Sequence, residues 1–145
     1  SEIAVGYSTL YGDMAGGYAP LGDLYKMEVY ALARLFNERM GVEAVTESTL
    51  TKPPSAELAP DQKDEDSLPP YPILDEILRL HIEDGLDATQ ITAKGHDKKT
   101  VKEVLTRLAK NEHKRWQMPP APRVSKRAFG QGWRQPLAAR HDWRQ

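Results

Sequence analysis

The stretch 51 to 72, TKPPSAELAPDQKDEDSLPPYP, restricts the fold more than any other, because it packs six prolines and a run of charge into a short span. Proline removes a backbone donor and clashes with the preceding helical turn, so regular structure is not expected across most of it. The 145-residue chain is cut there into two parts that must each supply helices and then pack together. A loop of this length inside a compact domain is usually a lid, a binding loop or a linker.

Ahead of the break, Leu24 to Met40 places apolar residues at Leu24, Met27, Ala31 and Leu35, with Leu32 and Phe36 beside them. That is a helical period with one face for a core; Asp23 stands where its cap belongs and Gly41 stops it. Tyr11 to Gly22, with four glycines, Asp13 and Pro20, reads as a loop. Residues 3 to 10, IAVGYSTL, fit either a short buried strand or a helix turn.

Beyond the break, Pro72 suits the first turn of a helix through Asp84, with Ile73, Ile77 and Leu80 on one side and Leu74, Leu78 and Ile82 widening the stripe. Gly85 ends it. Asp87 and Gln90 have the spacing of a capping box for a short helix that Gly95 closes. Asp97 then caps a longer helix, with Val101, Val104, Leu105 and Leu108 on one face, Lys98, Lys99, Lys102 and Lys110 outside it, and Pro119 as its end. Residues 119 to 145 read as an extended tail pinned by Phe129 and Trp133.

Length allows one domain. With no cysteine, disulfides, thiolate nucleophiles and Cys-ligated zinc are excluded. The four histidines lack zinc-like spacing, and no HExxH, GxSxG, Walker A or GxGxxG pattern occurs. No apolar run has the length of a membrane span, and SEIAVGYST lacks the basic start of a signal peptide. A first residue other than Met makes Ser1 read as a cut or processed end. The net charge of -1 conceals a split: residues 1 to 92 carry 6 Lys/Arg and 17 Asp/Glu, residues 93 to 145 carry 14 and 4. This suits intramolecular complementarity or a basic surface for a polyanion. One reading of the basic half is a helix-turn-helix DNA-binding module in residues 86–117, set against an ordinary helical hairpin with a solvated lysine face.

The remaining chemistry is a scatter of polar residues on loops and helix ends: Asp13, Lys26, Ser55, Glu57 and the run Glu112 to Arg115. A lysine in the first turn of a helix is a natural anion site, since free N–H groups and a mobile ammonium meet there.

The stretches SEIAVGYSTLYGDMAGGYAPLGDLYKMEVYALAR, KPPSAELAPDQKDEDSLPPY and EHKRWQMPPAPRVSKRAFGQGWRQPL together resemble the C-terminal part of the synthetase domain of glutamine-dependent NAD(+) synthetases. The resemblance implies a mostly helical fragment of an α/β, Rossmann-like N-type ATP pyrophosphatase domain whose parallel strands and SGGxDS loop precede Ser1. It implies ATP-dependent amidation of deamido-NAD to NAD through an adenylate, with ammonia from glutamine, and a fragment inactive alone. By motif position it makes Lys26 and Ser55 ATP-binding, Asp13, Lys114 and Arg115 deamido-NAD-binding, and Glu2 a ligand of Mg2+. Segment 51–72 becomes a lid, and the partners are small molecules rather than nucleic acid or membrane. A cytoplasmic homo-oligomer is expected, with exposed apolar surface around Leu24, Leu35 and Phe36.

Overall fold

The computed structural model describes residues 1–9, 11–12, 14–55 and 59–138. Among them are seven α-helices, a 3-10 turn at Asp64–Asp66 and no strand, with an isolated bridge between Phe129 and Trp133. The helices are α1 Glu2–Val5, α2 Lys26–Met40, α3 Glu47–Thr51, α4 Tyr71–Ile82, α5 Ala88–Ala93, α6 Lys98–Lys110 and α7 Glu112–Arg115. Residues 3 to 10 thus begin as a helical turn, which Gly6 closes at φ 78. No helix among the described residues is long and apolar enough to cross a membrane.

The core lies between α4, α5 and α6. Leu74, Ile77, Leu78 and Ile82 of α4 meet Ile91 of α5 and Val101, Val104, Leu105 and Leu108 of α6, all buried, and α1 adds Ala4 and Val5. The apolar period of α6 is therefore its buried face, while Lys98, Lys99 and Lys102 lie outside. Local chemistry sets the ends: Asp87 accepts from Gln90 N at 2.8 Å and its own N–H donates to Gln90 Oε1 at 2.9 Å, a closed capping box. Asp97 Oδ2 accepts from Thr100 N at 2.8 Å. The long helix ends earlier than its following proline suggests, at Lys110, where the Asn111 side chain turns back to Arg107 O.

Helix α2 behaves differently. It forms over nearly the expected span and stops at Gly41, φ 64, yet none of its residues is buried. Leu32, Leu35, Phe36 and Met40 are exposed, Phe36 to 48%. Asp23 is not its cap either. Its buried carboxylate accepts from Val124 N and Ser125 N at 2.7 Å, Phe129 N at 2.6 Å and Ser125 Oγ at 2.9 Å, so it organises the tail instead. The first N–H groups of α2 go to remote partners: Lys26 N donates to Ser1 Oγ at 2.8 Å and Met27 N to Asp75 Oδ2 of α4 at 2.9 Å. Ser1 Oγ in turn donates to Asp75 Oδ1. That exchange locks α1, α2 and α4 at one point.

Candidate functional site

The locking point forms the floor of a cavity of 760 Å³ between α1, the start of α2, the proline-rich segment and α7. Its walls include Glu2, Lys26, Ser55, Asp64 and Lys114. Residues separated by more than a hundred positions are thereby brought to one space. Asp13 lies outside the described residues, as does Glu57.

Lys26 is the best-defined group. Its Nζ is 2.7 Å from Glu2 Oε1 and sits 5.6 Å from the Tyr30 ring centroid and 5.4 Å from that of Tyr71. Burial works against the charge, but the Glu2 hydrogen bond and carboxylate, then Tyr30 and Asp64, hold the ammonium pKa above the ordinary lysine value. Lys26 is thus a fully charged cation presented by a helix start, held by a carboxylate and two aromatic faces. An incoming anion would meet it already oriented.

Lys114 Nζ donates to the carbonyls of Gly6 at 2.6 Å and Ser8 at 2.8 Å, fixing the wall formed by the end of α1. Ser55 is half-buried at the cavity edge of the proline-rich segment. Arg115, adjacent to Lys114, faces the opposite way. It is 0% exposed and binds Glu112 Oε2 through Nε at 3.0 Å and Nη2 at 2.6 Å. Its Nη1 donates to Ala4 O at 2.6 Å, and its guanidinium lies 5.8 Å from the Phe129 ring centroid and 5.6 Å from that of Trp133. The structure therefore does not bring Arg115 to the cavity: successive residues on a short helix point apart, and the arginine knits α1, α6 and the tail.

Two groups at the site were not nominated by the sequence. Asp64, 2% exposed, comes from the run DED, where a carboxylate is expected to be solvated. Tyr71, 4% exposed, precedes Pro72 at a helix start and gave no chemical signal. Its hydroxyl donates to Asp64 Oδ2 at 2.6 Å. The proximity of Tyr71 to the acidic run was detectable only as a seven-residue spacing without meaning in sequence.

A lysine, carboxylates and hydroxyls converging on a cavity of mixed polar and apolar lining give this helical assembly the make-up of a small-molecule site. Comparison gives that class its family: the NAD synthase family model matches residues 1–119, and the chain belongs to that family. It is 52% identical to the glutamine-dependent NAD(+) synthetase of Thermotoga maritima over 140 residues, covering 97% of this chain and 24% of that protein. It is 49% identical to the Acinetobacter baylyi enzyme of the same name, covering 99% and 26%. Among solved structures, a glutamine-dependent NAD+ synthetase from Acinetobacter baumannii in complex with ADP is 40% identical, with a TM-score of 0.48, covering 94% of this chain and 23% of that one. The chain thus spans about a quarter of the length of these relatives. Nothing in the comparisons supports DNA binding by residues 86–117.

Proposed function

We propose that this chain forms part of a glutamine-dependent NAD(+) synthetase and supplies one side of the pocket in which deamido-NAD is adenylated by ATP and then amidated. The observation that carries this reading is the convergence of Glu2, Lys26, Ser55 and Lys114 on one cavity, together with membership of the NAD synthase family. In the first step a nicotinate carboxylate oxygen bonds to the α-phosphorus of ATP and the bond to pyrophosphate breaks. In the second, ammonia derived from glutamine bonds to the acyl carbon, loses a proton, and AMP departs. Both steps concentrate negative charge on phosphate oxygens, so catalysis depends on cationic and N–H donors fixed in advance. Lys26 meets that need at a phosphate, Ser55 adds a hydroxyl from the proline-rich segment, and Lys114 serves the deamido-NAD end. Asp13 is assigned to the same dinucleotide. Segment 51–72 acts as a lid, which protects a readily hydrolysed acyl adenylate from water.

Mg2+ takes oxygen ligands and is commonly held by one or two carboxylates plus substrate phosphates. Among the described residues no three acidic or imidazole side chains cluster to cage a metal, and Glu2 offers a single carboxylate beside Lys26. That donor set fits an ion arriving with the nucleotide, which Glu2 would hold and which would offset phosphate charge. In the intact protein the helices pack on a Rossmann-like α/β sheet, a reading supported by the bare apolar stripe of α2. The test is Lys26→Ala in the intact protein. A fall of about 10²- to 10³-fold in kcat/KM for ATP, with the circular dichroism spectrum kept, is expected from removing one such donor; an unchanged rate would refute the role.

A further inference from the structure

We propose that Tyr71 is a positioning residue that ties the proline-rich segment to the Lys26 end of the cavity through Asp64, and so places Ser55. The inference rests on the reading above that Lys26 and Ser55 meet the phosphates of ATP.

Tyr71 stands at the first turn of α4, in the buried core, and its two ends face different parts of the site. Its ring lies under the Lys26 ammonium, 5.4 Å from the centroid, while its hydroxyl donates to Asp64 Oδ2 at 2.6 Å. The same hydroxyl is 3.5 Å from Glu2 Oε1. Burial, followed by the Asp64 hydrogen bond, raises the phenol pKa far above its usual range, so the hydroxyl remains a donor at every physiological pH.

Asp64 is where the link turns toward the loop. Its backbone N–H donates to Pro54 O at 2.9 Å, and Pro54 is the residue before Ser55. The order is therefore Tyr71 hydroxyl, Asp64 carboxylate, Asp64 N–H, Pro54 carbonyl, Ser55. A buried carboxylate is costly unless hydrogen-bonded, and Asp64 Oδ1 has no hydrogen-bond partner among the described residues. The bond from Tyr71 is then a main reason that the Asp64–Asp66 turn stays folded against the cavity. The same segment is held further along by Leu68 in the core and by Ser67, whose hydroxyl meets Tyr7 Oη at 3.0 Å and whose carbonyl accepts from Arg107 Nη2 at 3.0 Å; of these contacts the Asp64 N–H to Pro54 lies next to Ser55.

The experiment is steady-state kinetics of the intact protein carrying this chain, with ATP and deamido-NAD varied separately. Tyr71→Phe keeps the ring over Lys26 and deletes the donor. Its KM for ATP should rise about tenfold, the scale of a lost hydrogen bond to a charged group, while KM for deamido-NAD stays within about twofold. Asp64→Ala reads the link from its other end and should raise the ATP KM by a similar factor. The double variant should be no worse than the worse single one, because both cut one chain of contacts. Tyr71→Leu, which also removes the ring, should lower kcat as Lys26 loses its seat. If both Tyr71→Phe and Asp64→Ala leave the ATP KM unchanged while Lys26→Ala is crippled, the proposal fails and the function stands. If Lys26→Ala is also unaffected, the function fails first. A purely structural Tyr71 would reduce the amount of folded enzyme and move neither KM, which would likewise overturn the proposal.

Discussion

Helices α2 and α6 both carry an apolar stripe, that of α2 much the weaker, and they meet opposite fates. In α6, Val101, Val104, Leu105 and Leu108 are all 0% exposed, whereas in α2 Leu32, Leu35 and Phe36 stand 44%, 42% and 48% open. The contrast teaches that amphipathicity specifies a need for a partner and says nothing of where that partner comes from. Helix α6 finds its partners in α4 and α5, close in sequence. Among the described residues helix α2 is tied to α1 and α4 near its first turn, by Ser1, Glu2, Asp75 and Arg79, and to the following loop by Asn37 with Val45, and it presents Leu32, Leu35 and Phe36 outward.

The largest expected effect is a direct trial of this difference. Leu105→Ala should destabilise the chain by about 2–5 kcal/mol in urea unfolding, the cost of a core leucine plus its cavity. Phe36→Ala in the 145-residue chain should cost less than about 0.5 kcal/mol, as for a surface change. Repeating both in the intact protein sharpens the comparison. If Phe36→Ala then becomes as damaging as Leu105→Ala, the stripe is covered by protein outside these residues; if it costs little in both, α2 is a solvent-facing helix.

How much of this was legible in sequence follows from the range over which each interaction acts. Caps and stops are local, so Asp87, Asp97, Gly41 and Gly85 announced themselves, and α4 to α6 could be drawn with most of their buried faces, though Ile73, read onto the stripe of α4, is 40% exposed. Asp23 misled because its position before a helix matches a cap, while its actual donors, Val124, Ser125 and Phe129, lie a hundred residues away. The pairing of Lys114 with Arg115 misled for a different reason: adjacency in sequence separates side chains on a helix, and only the burial pattern reveals which one faces the core. Lys26 and Ser55 were nominated through the family resemblance, and the structure places both on the wall of the cavity. Asp64 and Tyr71 had no such signal, since a carboxylate in an acidic run and a tyrosine beside proline both have ordinary explanations.

A middle-sized effect should come from Asp23, which binds the tail directly ahead of α2. Burial raises its carboxyl pKa, but hydrogen bonds from Ser125, Val124 and Phe129 outweigh this and hold it below the ordinary value. A depressed folded pKa gives stability that is complete above the unfolded value, about 3.9, and is lost as pH falls through the folded value. Unfolding free energy followed from pH 6 to pH 2 should therefore decline more steeply in the wild type than in Asp23→Asn. At neutral pH the variant should be weaker by about 1–3 kcal/mol. Parallel pH profiles would show that the tail is held by other contacts.

The smallest effect tests whether the two regions are energetically separate. Asp87 and Gln90 close their own box at the start of α5, so Asp87→Ala removes a local cap and should cost about 1 kcal/mol. Because α5 packs on α4 and α6, amide exchange at Thr89 to Ile91 should quicken, and core amides of α6 should follow to a lesser degree. The amides of Lys26 and Met27 should not respond, since their acceptors are Ser1 and Asp75 and their helix shares no buried face with α5. Faster exchange at those two positions would mean that α2 unfolds together with the α4 to α6 core, and the division between a self-sufficient core and an outward-facing helix would then be one of surface exposure alone.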